Sequence, residues 1–130
     1  MKLRNCFAVA CLIAAPGATA YDLERVRINF AHELAECSAY YTLIAEEPGI
    51  DIATSVKRRA TGLSLAKGAT DVASEEFVNP RIDQAIRYMT RDMKGMWKNV
   101  SIINDKYGLH CQRIVADPVA RRKYWLDKVK

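Results

Sequence analysis

The stretch from Asp22 to Ala45, DLERVRINFAHELAECSAYYTLIA, decides the fold. Leu23, Val26, Phe30, Leu34, Cys37, Tyr41 and Ile44 recur at steps of 3, 4, 4, 3, 4 and 3. That spacing keeps them on one face of a 3.6-residue helix, so an amphipathic helix is predicted over 22–45. Asp22 and Glu24 suit the positive end of its dipole, and Pro48-Gly49 ends it. Cys37 falls within the apolar face, so its sulfur is expected to point into the core.

On the N-terminal side, residues 1–20 have the three parts of a secretory signal peptide. Lys2 and Arg4 give a positive start. Cys6 to Ala15 is an apolar run too short to span a bilayer as a helix. Pro16-Gly17 breaks it, and Ala18-Thr19-Ala20 offers small residues for cleavage before Tyr21. The expected product is residues 21–130, one small domain without a transmembrane segment, periplasmic or secreted.

Removing residues 1–20 also removes Cys6 and Cys11, leaving Cys37 and Cys111. In an oxidising compartment this isolated pair is expected to form one disulfide. Closing a loop of that length contributes about 4 kcal/mol in the chain-entropy model.

On the C-terminal side, Ile52, Val56, Ala60 and Leu63 predict a second helix over 51–67, capped by Gly68. Asp71 or Ser74 is placed to cap a short turn anchored by Phe77. Asn79-Pro80 then reads as the start of a third helix. Its stripe runs Ile82, Ile86, Met89, Met93, Met96, Val100, Ile103 and Tyr107, closed by Gly108. Asp117-Pro118 repeats the cap-plus-proline pattern and opens a last helix over 118–129. No segment alternates like a strand. The fold class is therefore all-α: a small four-helix up-and-down bundle, or a near variant, with one disulfide.

Charge and motifs narrow the function. Without Lys2 and Arg4 the 20 basic side chains fall to 18, against 15 acidic ones, a net charge of +3. That is too little for a nucleic-acid partner. His32-Glu33 matches only half of a zinc-protease helix, because Glu36 stands where the second His belongs. There is no nucleophile elbow, Ser-x-x-Lys element, phosphate-binding glycine loop or Cys-x-x-Cys-His haem attachment. No catalytic residues and no cofactor are expected.

Two surfaces carry chemistry. Arg121, Arg122, Lys123 and Lys128, interleaved with Tyr124 and Trp125, suit an acidic partner protein or another anionic component of the cell envelope. Met89, Met93 and Met96 lie at i, i+4 and i+7, and soft thioethers so stacked suit Cu(I), although the same positions continue the core stripe. The function expected is a non-catalytic binding or interaction protein of the bacterial cell envelope. The alternatives are a periplasmic copper-handling protein built on the Met stripe, and a small secreted enzyme or toxin whose site is assembled only in the fold.

Overall fold

The structure, a computed structural model, describes residues 19–130. The export segment read over residues 1–20 lies outside the described residues except for Thr19 and Ala20. Those two open the first helix, α1 (Ala20–Ile44). The Thr19 hydroxyl accepts from the Asp22 amide at 3.2 Å, and the Thr19 amide donates to the Asp22 carboxylate at 3.3 Å. This reciprocal pair is a capping box, and it straddles the expected cleavage point before Tyr21.

α1 is the axle of an all-α bundle. Val26, Phe30, Leu34, Cys37 and Ile44 are buried, as their spacing predicts. Ala31, Ala35, Ser38, Ala39 and Tyr40 are buried as well. A helix with partners on several sides hides more than one stripe, and small residues let those partners approach.

α2 (Ile52–Val72) starts where the sequence places it, with Asp51 accepting from the Thr54 amide at 2.8 Å. Two expectations for it fail. Gly68 is not a cap: the helix runs one turn further, with Ala69 fully buried and Lys67 paired to Asp71 at 3.0 Å. The buried face is also not the apolar one. Ile52 and Leu63 are 83% and 66% exposed, while Ser55, Arg58, Gly62, Leu65 and Ala69 face α1 or the core. The reason is close approach. A Cβ on Gly62 would lie 2.7 Å from Thr42 Oγ1 and 3.1 Å from the Ser38 carbonyl, so only glycine allows the two helices this spacing.

The predicted third helix is two. α3 (Glu75–Asp92) begins at Ser74, whose hydroxyl accepts from the Phe77 amide at 3.2 Å, so Pro80 lies inside it. It stops because Lys94 and Gly95 take left-handed backbone, with φ of 55° and 66°. That is low-cost for glycine and reverses the chain. Residues 100–116 then form a second helical run: α4 (Val100–Ile103), a π turn at Asn104–Gly108 and α5 (Leu109–Ala116). Gly108 does not end a helix but sits beneath Tyr40, where an added Cβ would lie 3.1 Å from the phenol oxygen. The helix widens at this turn, and Ile103, Tyr107, Cys111 and Ile114, at steps of 4, 4 and 3, are all buried.

α6 (Pro118–Asp127) starts as expected, with Asp117 accepting from the Ala120 amide at 2.9 Å. Cys37 and Cys111 form a disulfide with Cα atoms 5.3 Å apart, both fully buried. Among the described residues there is no strand, and no helix is long and apolar enough to cross a membrane.

Candidate functional site

The helix directions follow from their cross-links. Ser38 pairs with the Gly62 carbonyl at 2.7 Å, Arg58 with the Ile44 carbonyl at 2.7 Å and Arg27 with the Val72 carbonyl at 2.7 Å. α2 therefore runs antiparallel to α1. α6 also runs antiparallel to α1: Arg121 reaches Glu33, while Lys128 and Val129 at its end lie beside Asp22, Arg25 and Val26 at the start of α1. α2 and α6 lie on two sides of α1, and a groove of about 690 Å³ opens between α2 and the α5–α6 corner. That volume lies within the range of ligand clefts.

Core side chains form the floor of this groove: Phe30 and Leu34 from α1, Leu65 from α2 and Ile114 from α5. Val72, Val115, Pro118 and Val119 form apolar walls, and Val119 is 75% exposed. Gly68 keeps the passage open, since a Cβ there would meet only Leu34, at 3.8 Å. Lys57, Asp71 and Arg122 are the charged side chains of the lining. The sequence reading named none of these positions as a ligand site except Arg122. The available signal was Val115 and Val119, apolar residues lying off the buried stripe of their own helices.

The basic C-terminal cluster is divided by the fold. Arg121 and Trp125 turn inward. Arg121 Nε donates to Glu33 Oε2 at 2.7 Å, its Nη2 pairs with Glu33 Oε1, and Trp125 Nε1 donates to Glu33 Oε2 at 2.8 Å. Burial pushes the Glu33 carboxyl up. Hydrogen bonds from Arg121 and Trp125, with the charges of Arg121 and His110, outweigh burial and hold it below the ordinary glutamate range. His110 Nε2 stands 3.6 Å from the same carboxylate. These groups dock α6 on α1.

The other members of the cluster remain outward. Lys123 pairs with Asp127 at 2.5 Å, Lys128 lies 5.0 Å from the centre of the Tyr124 ring, and Arg122 lines the groove. Of the aromatic residues, Tyr40 is buried, Trp97 and Trp125 pack half-buried on the core, and Tyr124 is exposed.

The methionines do not form one stack. Met89 and Met93 lie in the core, whereas Met96 follows the reversal at Lys94–Gly95 and is 40% exposed. The in-phase spacing of the sequence presumed a helix that the left-handed pair interrupts. His32 is exposed on α1.

Comparison with protein-family models, with curated proteins and with solved structures finds no match.

Proposed function

We propose that this chain is an exported, non-catalytic binding protein of the cell envelope, and that its ligand site is the groove between α2 and the α5–α6 corner. One observation carries the reading: buried core side chains from three helices floor a groove along whose wall Val115 and Val119 stand exposed. Isolated exposed apolar side chains are ordinary, but a concave run of them over a core floor matches a ligand cleft. Export is supported by the residue pattern over 1–20 and by the buried disulfide. The contact surface thus moves from the whole basic C-terminal helix to its groove-facing side, at Val119 and Arg122.

The test is titration of the oxidised protein with the uncharged fluorophore N-phenyl-1-naphthylamine. Saturable one-to-one binding, lost in Gly68→Leu, is the expected result. That substitution fills the floor of the groove while improving helix propensity, so the variant is expected to fold. Absence of saturable binding, or binding indifferent to Gly68→Leu, refutes the groove as the site.

A further inference from the structure

The groove changes character along its length, and that change specifies a ligand class. The inference rests on the groove being the ligand site. Interpolating between the α1–α2 cross-links at Ser38–Gly62 and Arg27–Val72 puts Glu33 level with α2 residues 66–67. Arg122, next to the Glu33-bound Arg121, lies at that level. Lys57 is roughly ten residues nearer the start of α2, about 15 Å along the axis. The same interpolation puts Phe30 and Leu34 level with α2 residues 69 and 66, so Phe30, Leu34, Leu65 and Val72 lie at or beyond the level of Arg122. At the other end the lining from α2 is Lys57, Ala60, Thr61 and Ser64. One end is floored by apolar core side chains, and the other has hydroxyls and a cation without an apolar floor from α1.

The charges reinforce the polarity. Arg58 and Arg59, next to Lys57, are taken by Glu47 and Glu46. Among the described residues no carboxylate pairs with Lys57. At the Arg122 end Asp71 is taken by Lys67, and Arg122 itself stands over the apolar floor, where a tail rather than a head would lie. A ligand matching this pattern has one anionic head and one unbranched apolar tail.

We infer that the groove binds a fatty acid, its carboxylate on Lys57 and its chain lying over Phe30 and Leu34 towards Val72. Lys57 supplies a charge-assisted hydrogen bond at an exposed rim, so the head adds selectivity, and the buried chain supplies most of the affinity.

The experiment is displacement of N-phenyl-1-naphthylamine from the oxidised protein by laurate and, in parallel, by 1-dodecanol. Laurate is expected to bind about fivefold more tightly than the alcohol, the size of one rim ion pair. Lys57→Gln is expected to erase that preference, and Arg122→Gln to leave it in place. Equal displacement by the two compounds, a preference that survives Lys57→Gln, or one lost only in Arg122→Gln overturns the inference. If the fluorophore binds and Gly68→Leu blocks it while laurate shows no advantage, the groove stands as a site and only the carboxylate assignment falls. If the fluorophore does not bind at all, both fall.

Discussion

The two sides of α1 are held in different ways. On the α2 side the partner helix follows after a short loop, and the centre of the contact is made by small groups, Gly62 against Ser38 and Thr42, with Ser55, Arg58 and Arg27 bonding carbonyls towards its two ends. On the α5–α6 side the partners return from far along the chain. The disulfide joins residues 74 apart, and the two hydrogen-bonded partners of Glu33 lie 88 and 92 residues away. Closing a long loop has a larger entropy cost than closing a short one, and here the long closures coincide with covalent and charged clamps. Close packing serves the near neighbour. The groove lies at the seam between the two arrangements, where neither brings side chains close enough to fill the space.

Breaking the long-range clamp should have the largest effect. The double variant Cys37→Ala, Cys111→Ala is expected to lose about 4 kcal/mol of unfolding free energy, read by urea denaturation under oxidising conditions. Equal stability of the two proteins would show that the α5–α6 side needs no staple.

Next comes the close contact on the other side. Gly62→Ala is expected to cost about 2 kcal/mol, since the backbone of Ser38 and Thr42 cannot yield to a new Cβ as a side chain can. An unchanged or higher midpoint in urea would mean that the α1–α2 spacing is not set by this glycine.

Glu33→Gln should then cost about 1.5 kcal/mol, because a charged acceptor of two clamping donors becomes neutral. This clamp also predicts a pH dependence. The Glu33 carboxyl is held below its ordinary range, so its contribution is fully present above the ordinary glutamate pKa. It fades as pH falls through the lowered native value, because the unfolded chain takes up the proton first. The stability gap between wild type and Glu33→Gln should therefore narrow on acidification below the ordinary carboxylate range. A gap constant down to strongly acidic pH contradicts the charged clamp.

The smallest effect sharpens the contrast within α2 itself. Gly68→Ala, six residues from Gly62 but facing open space, should raise stability by about 0.5 kcal/mol, visible as a higher urea midpoint. Two glycines of one helix responding with opposite sign would separate close packing from backbone freedom.

Much of the frame was legible in the residues. The α1 stripe, the start of α2, the Asp117-Pro118 cap and the Cys37–Cys111 pair all depend on local spacing or on elimination among cysteines, whereas the Asn79-Pro80 start lies inside α3. The misread elements have two causes. Ile52, Val56 and Leu63 form the more apolar side of α2, yet Gly62 and Ala69 are buried, because small size at a crossing outweighed the area an apolar side chain would hide. Met96 continued a heptad on paper but not in space, since Lys94 and Gly95 turn left-handed. For the candidate site, Arg122 alone had been singled out, from charge rather than from its place beside Val119.

The sequence by itself determined that this protein is helical, where α1, α2 and α6 begin, and which two cysteines join. These follow from periodicity, caps and composition, which act over a few residues or involve no alternative pairing. Only the tertiary structure decided which face of α2 is buried, that Arg121 and Trp125 clamp α6 through Glu33, and that a groove opens between α2 and α6. Each of those depends on how closely two backbones distant in sequence approach, a quantity that the one-dimensional pattern of side chains does not contain.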